Sequence, residues 1–314
     1  MSENAKYVQK LDAVRGEINK VIKGKSEVVS DVLAAVVAGG HVLMEDIPGV
    51  GKTTLATTMG KALSLTYRRV QFTPDVLPSD ILGFSMYNSN TGEFEYREGS
   101  VFANLFLADE LNRTSPKTQS ALLEVMEEGT ATVDGVTRPL PNPFVVIATE
   151  NPMGSSGTQM LPESQLDRFM ICVSMGYPSH EAAADILKEE TVRKTVDINA
   201  VMTAEELIEV RSAAEKVFVH DSLYDYMVTL VEETRKNVMF DAGASPRASI
   251  ALLRISRALA VMDGRDFVTA MDVQKELVNV LSHRVKLSGR AKAEGFDAAR
   301  AVRELLQSVP APRM

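Results

Sequence analysis

The sequence predicts an α/β fold: a three-layer αβα core built on a mostly parallel sheet, followed by an all-α second domain. Three observations carry this expectation. Short apolar runs alternate with stretches of helical periodicity over the first 177 residues, the pattern of a parallel sheet covered on both faces. A glycine-rich segment, Gly49-Val50-Gly51-Lys52-Thr53, stands between one such run and a helix. After Gly176-Tyr177-Pro178 the strand signal fades and helical stretches dominate. The expected domains are therefore 1–177 and 178–314.

Along the chain, residues 6–20 read as a helix because Val8, Leu11, Val14 and Ile18 recur at spacings of three and four. Residues 26–38 form a second helix that stops near Gly39-Gly40. His41 to Met44 is a strand, and the glycine-rich segment leads into a helix over about 51–63, with Leu55, Met59, Ala62 and Leu63 on its apolar face. Residues 66–72 are another strand. The stretch 74–100 carries Pro74, Pro78, Gly83, Asn88-Ser89-Asn90, Gly92 and Gly99 among Phe84, Tyr87, Phe94 and Tyr96, the texture of an insertion or a binding loop. Asn104 to Ala108 is a strand closed by Asp109-Glu110. Ser115 caps the next helix, with Pro116 at its first position. That helix runs to about Glu128 and is expected to bury Ala121, Leu122, Val125 and Met126. Residues 129–138 read as a hairpin turning at Asp134-Gly135. Strands at 144–148 and 169–173 complete the core. Helices are expected at 180–190, 203–215, 221–237, 246–262, 270–286 and 294–307, with Thr269 and Asp272 as a capping pair.

Composition narrows the functions open to the chain. Acidic residues number 42 and basic residues 34, a net charge of −8 with no dense Lys/Arg tract, which argues against a broad nucleic-acid surface. Trp is absent and aromatics are 6%, so the core should be aliphatic, with 15 Met as adaptable filler. The single cysteine, Cys172, has no disulfide partner and lies in an apolar run; it reads as a buried structural thiol in a reducing compartment. His41, His180, His220 and His283 stand singly, without metal-ligand spacing, and read as structural or surface residues. The N-terminus shows no signal-peptide core. No apolar run approaches the ~18 residues of a membrane helix, so a cytoplasmic location without direct membrane insertion is expected.

The chemistry gathers in three segments. The first, Glu45 to Thr54, has a strand before it and a helix after it, the context a phosphate loop requires. Gly49 and Gly51 let the backbone turn and aim its N–H groups at phosphate oxygens, and the helix start adds free N–H groups. Lys52 would reach the β and γ phosphates and Thr53 would hold magnesium; Pro48, Val50 and Thr54 complete the loop. Against the pattern GxxxxGK[ST], Asp46 stands where the first glycine is usual; Asp tolerates left-handed geometry better than most residues. In the second segment, Asp109 would serve the magnesium hydration shell and Glu110 would polarise a water for attack on the γ phosphate. In the third, Asn151 follows an apolar strand beside the acidic pair. Its amide would sense the γ phosphate or hold the attacking water; as Asn before Pro152 it also reads as a turn residue. ATP/ADP and Mg2+ are the expected ligands.

In order, the segments EDIPGVGKT (45–53), QFTPDVLPSDILG (71–83), LADELNRTSPKTQSALLEVMEE (107–128), VVIATENP (145–152), LPESQLDRF (161–169) and GASPRASIALLR (243–254) resemble the MoxR group of AAA+ ATPases over nearly the whole chain. The resemblance implies an ATPase core and helical lid with nucleotide between them. It also implies self-association into a ring, usually hexameric, whose neighbours complete each site. It implies that the region of Ile22 and Gly24 packs around adenine. Residues 74–100 then match an insertion in the second core helix and 129–138 a hairpin before the sensor strand, both placed to handle a partner. Arg168 matches an arginine finger acting on a neighbour's γ phosphate, the alternative being an intrachain salt bridge. Arg247 matches the lid arginine called sensor 2, although the helix dipole disfavours a cation on a first turn. Arg113, close behind the acidic pair, stands within reach of nucleotide or a neighbouring subunit. Glu150 stands where glutamine is commoner, and an extra carboxylate there would weaken nucleotide binding unless it points away.

The expected function is ATP hydrolysis driving chaperone-like remodelling, maturation or assembly of partner proteins or metalloenzymes. The resemblance implies a protein client and a partner carrying a von Willebrand A-type domain. Two other classes stay open. One is a nucleotide-gated scaffold or signalling module with slow turnover, against which intact Glu110 and Arg168 count. The other is a nucleic-acid motor, against which the net charge counts.

Overall fold

The structure, a computed structural model, describes residues 3–47, 49–151, 160–192 and 196–312. Helices α1 (Ala5–Val21) and α2 (Ser26–Val37) lead into β1 (Val42–Glu45) and α3 (Lys52–Ala62). After β2 (Tyr67–Gln71), the turn-rich segment folds as a short helix, α4 (Pro78–Leu82), and an antiparallel hairpin of β3 (Gly83–Asn88) and β4 (Glu93–Glu98). Then come β5 (Leu105–Asp109), α5 (Pro116–Glu128), a second hairpin of β6 (Thr130–Val133) and β7 (Val136–Pro139), β8 (Val145–Glu150), α6 (Glu163–Leu166) and β9 (Ile171–Val173). The remainder is mainly helical: α7 (His180–Val192), α8 (Ala204–Glu215), α9 (Asp221–Lys236), α10 (Pro246–Met262), α11 (Ala270–Leu281), α12 (Gly289–Ala293) and α13 (Ala298–Ser308). Among the described residues, no helix is long and apolar enough to cross a membrane.

The sheet has the order β2-β5-β8-β1-β9, and every pair in it is parallel. The central strands are continuous apolar runs because both of their faces are covered. Alternation along them assigns the faces. Leu105, Leu107, Val145 and Ile147 join the cluster beneath α1, α2 and α3. Phe106, Ala108, Val146 and Ala148 join the cluster formed with Leu122, Leu123 and Val125 of α5. Each fully buried Leu, Ile, Val or Phe side chain among these contributes about 1.5–3 kcal/mol. The first cluster continues past residue 177 into α8, α10 and α11 through Val210, Leu252, Leu259 and Leu277, so the later helices share a core with the sheet.

Local chemistry sets the element ends. Ser115 Oγ accepts the Thr118 N–H at the start of α5, and Gly129 (φ +65°) ends that helix in left-handed backbone. Asp134 (φ +53°) and Gly135 (φ +73°) turn the second hairpin as two left-handed residues, the type I′ arrangement. Three expectations change. Ala121 is only half-buried and Leu123 takes its place in the core. The helix expected over 270–286 stops at Leu281, because the chain crosses as a single 3-10 turn into β11 (Lys286–Leu287), which pairs with β10 (Phe240–Ala242). The helix expected from 294 starts at Ala298, after Gly295 (φ +80°) and the Asp297 cap.

Candidate nucleotide site

The segment after β1 closes onto α3. Gly49 (φ +87°) and Gly51 (φ +98°) hold left-handed backbone that a side chain would strain. Gly51 is the N-cap of α3, so the free N–H groups of the first turn open beside it. A cavity of about 370 Å³ lies here. Gly49, Gly51, Lys52, Thr53 and Thr54 line it from the loop, Asp109, Glu110 and Asn151 from the neighbouring strand ends, and Arg69 and Gln71 from β2. Val50 packs half-buried on the core; Pro48 lies outside the described residues.

Lys52 Nζ donates to the Asp46 carbonyl at 2.7 Å. Partial burial holds its pKa below the usual lysine value, while Asp46, Asp109, Glu110 and Glu150 oppose that shift. A partly desolvated ammonium at a helix N-terminus suits a polyphosphate. Asp46 does not adopt left-handed backbone, so the expected reason for its tolerance is corrected. Its buried carboxylate accepts the N–H groups of Met175 and, at 3.1 Å, Gly176. This ties the base of the loop to the chain leaving β9, a bond that glycine could not make. Ile22 is buried beside the loop: a Cβ added at Gly51 would lie 4.0 Å from Ile22 Cδ1 and 3.7 Å from Met175 Cε. Gly24 (φ +70°) packs on α7, where a Cβ would meet Ala182 Cβ at 3.2 Å.

The acidic pair is held by β8 and β2. Asp109 Oδ1 accepts from Thr149 Oγ1 at 2.7 Å, and Thr149 Oγ1 accepts the Glu110 N–H at 2.8 Å. One hydroxyl thus positions both residues. Asp109 Oδ2 accepts from Arg69 Nη2 at 2.7 Å. Glu110 Oε2 accepts from Gln71 Nε2 at 2.8 Å and from Arg113 Nη1 at 2.6 Å. Glu110 itself sits at φ +56°, a conformation costing about 1 kcal/mol or more in a non-glycine residue. Asn112 Nδ2 donates to the Asn151 carbonyl at 3.3 Å, linking the third segment to the second. Asp109 and Thr53 are the hard oxygen donors that magnesium takes from few protein ligands, so the residues present fit a magnesium–triphosphate group. Sequence reasoning missed Thr149, Arg69 and Gln71. The last two are polar residues two apart on a strand beside the acidic pair, with Gln71 in register with Asp109, and that spacing was the available signal.

Glu150 lies in register with Glu45 of β1. Burial, then repulsion from Glu45, pushes its carboxyl up to about 7, against the pull of Lys52. The extra carboxylate, half-buried at the end of β8, therefore carries a proton below neutrality. His41 is half-buried and neutral, with desolvation of its ring holding its pKa to about 4. Its Nδ1 accepts the Val146 N–H at 3.0 Å, which leaves Nε2 to donate to the Met126 carbonyl at 3.0 Å. Cys172 is buried and its thiol is pushed well up by burial.

Arg168 and Arg247 do not line this cavity. Arg168 Nε donates to Glu127 Oε2 at 2.9 Å and Arg247 Nη2 donates to Glu127 Oε1. They border a second cavity, of about 250 Å³, with Gly39, Gly40 and His41. Those residues enter β1, whereas the phosphate loop leaves it, and a strand of this length spans roughly 13 Å. The two sites lie at opposite ends of the sheet. Arg247, matched to the sensor 2 arginine, thus lies in this chain beside Arg168 and apart from the phosphate loop. Ser245, the N-cap of α10, donates to Asp167 at 2.7 Å, and Asp167 accepts from Arg284 at 2.9 Å, which fixes the start of α10 beside Arg168.

A parallel sheet with a phosphate loop after β1, an acidic pair after β5 and helices beyond it defines a P-loop nucleotide-binding core followed by a helical lid. Residues 41–171 match the ATPase family associated with various cellular activities (AAA), and residues 232–305 match the AAA lid domain. The uncharacterized protein YeaC of Bacillus subtilis is 46% identical over 94% of this chain and 92% of its own length. Chaperone MoxR1 of Mycobacterium tuberculosis is 37% identical over 99% of this chain and 84% of its own. A crystal structure from Cytophaga hutchinsonii, assigned as an ATPase, superposes with a TM-score of 0.91 at 35% identity, covering 99% of this chain and 97% of its own. The chain belongs to the AAA ATPase family, a membership that implies a capacity for ATP with magnesium.

Proposed function

We propose that the chain hydrolyses ATP and uses the cycle to remodel or assemble partner proteins, as a chaperone of the MoxR group. The observation that carries this is the convergence of the loop, the acidic pair and Asn151 on one cavity at the C-terminal ends of β1, β5 and β8, where ligands of parallel α/β sheets bind.

Lys52 and the α3 N-terminus hold the β and γ phosphates. Thr53 and Asp109 hold magnesium, which when bound neutralises phosphate charge. Glu110 orients and polarises the attacking water, with its backbone set by Thr149, and Asn151 holds the water or the γ phosphate. Ile22 and Gly24 lie by the adenine. Because Arg168 and Arg247 face away from their own site, they serve the site of a neighbour in a ring, which the resemblance makes hexameric. The β3–β4 hairpin, with Phe84, Tyr87 and Phe94 exposed, handles the protein client, with a von Willebrand A-type partner as the expected accessory. The chaperone role is supported by the similarity to MoxR1.

A second reading has one observation in its favour: in this arrangement Arg69 and Arg113 neutralise both catalytic-pair carboxylates, which suits slow turnover in a nucleotide-gated scaffold. Steady-state hydrolysis by the assembled protein separates the two. Glu110→Gln is expected to keep ATP affinity and lose turnover by about 10²-fold or more. Hydrolysis by Glu110→Gln at the parental rate would remove the catalytic assignment. A parent with no turnover when assembled would establish the scaffold.

A further inference from the structure

The junction of Glu127 with Arg168 and Arg247 joins three segments far apart in sequence, and nothing in the reaction at the phosphate loop uses it. Both partners sit where helix dipoles disfavour them. Glu127 is in the last turn of α5, which carries no basic residue, and Arg247 is in the first turn of α10, which carries no acidic one. Each oxygen of the Glu127 carboxylate takes one guanidinium, and Arg168 and then Arg247 hold its pKa below the usual carboxylate value.

The surroundings are rigid and cationic. Met126, the residue before Glu127, is fixed by the His41 ring through its carbonyl. Arg284 is almost fully buried and reaches Asp167, Phe169 and Met170. Asp167 is spent on Ser245 and Arg284. The cavity is lined by Arg168, Arg247, Arg254 and Arg284 against Glu127 and Asp167, an excess of positive charge on a chain whose net charge is −8. Of the two carboxylates lining the cavity, Glu127 is therefore the one paired with both the half-buried Arg168 and the exposed Arg247.

We infer that Glu127 is an internal anion that latches Arg168 and Arg247 in the separate chain, and that the phosphate end of a nucleotide held by a second copy displaces it on assembly. This rests on the proposed trans role of the two arginines. The latch holds the guanidiniums together and aimed outward, so no search for their positions is needed when the neighbour arrives. Its cost is a competing charge that the incoming phosphate must overcome.

The test compares ATP turnover of the parent, Glu127→Gln and Arg168→Ala across a range of protein concentrations, with sedimentation in ATP on a Glu110→Gln background as a readout independent of chemistry. Glu127→Gln keeps the shape and removes the charge. It is expected to lower the concentration for half-maximal turnover and for assembly by about fivefold, the scale of one or two exposed ion pairs, with turnover per assembled chain unchanged. An unshifted concentration with Arg168→Ala inactive overturns the latch alone. A fall in turnover per assembled chain in Glu127→Gln also overturns it and makes Glu127 a group the reaction needs. Full activity in Arg168→Ala overturns the trans role, and the latch with it.

Discussion

Glu150 offers the clearest titration at the residue scale. In an unfolded chain its carboxyl ionises near its ordinary 4.5, and in the fold near 7, chiefly because it is buried and then because Glu45 faces it. The folded state therefore binds more protons between these values. The stability this group supports is complete below about pH 4.5 and is lost as pH rises to about 7. Relative to the parent, Glu150→Gln is expected to gain stability across that window, by at most on the order of 3 kcal/mol at pH 8. Urea unfolding at a series of pH values checks this; parallel profiles for the two proteins would contradict it. Residues such as Lys52, Thr53, Asp109 and Glu110 were legible in the sequence because phosphate and magnesium chemistry admits few side chains at fixed spacing. Arg69, Thr149 and Glu127 were not, because their partners come from segments that only the fold brings near. Asp46 was visible as a departure, but its bonds to Met175 and Gly176 span about the length of the core.

At the scale of elements, α5 connects the two ends of the molecule's chemistry. It starts just past Asp109-Glu110 and carries Glu127 in its last turn. Its Ser115 cap satisfies the Thr118 N–H, and the Thr118 hydroxyl in turn donates to the Val76 carbonyl at 2.8 Å. Ser115→Ala is expected to cost about 1 kcal/mol, read as a lower urea midpoint at unchanged slope; an unchanged midpoint would mean the cap is not formed. This helix, the apolar central strands and the Asp134-Gly135 turn were legible because local periodicity and turn chemistry dictate them. The β10–β11 pair was not, because strands of three and two residues leave no period to read. The early end of α11 was equally hidden, since Arg284 is drawn to the carbonyls of Phe169 and Met170 across the fold.

On the scale of the whole molecule, the proposed trans role of the two arginines, lining a cavity apart from the phosphate loop, leaves one chain an incomplete enzyme. Lys52→Ala should lack nucleotide but still offer Arg168, and Arg168→Ala should hold nucleotide but lack the arginine. Each alone is expected to be nearly inactive, and a mixture should exceed the sum of the two. A mixture no more active than its parts would mean that each site is completed within its own chain. Beneath this lies the requirement that the Gly49–Lys52 loop gathers a triphosphate whose metal ion is shared with Asp109. Calorimetric titration of ATP into the Glu110→Gln protein, with magnesium and after its chelation, tests that requirement without turnover. Saturable binding that weakens by about tenfold or more without magnesium and is lost on adding Lys52→Ala is the expected result. Binding indifferent to magnesium, or retained in full by the Lys52→Ala protein, would contradict it.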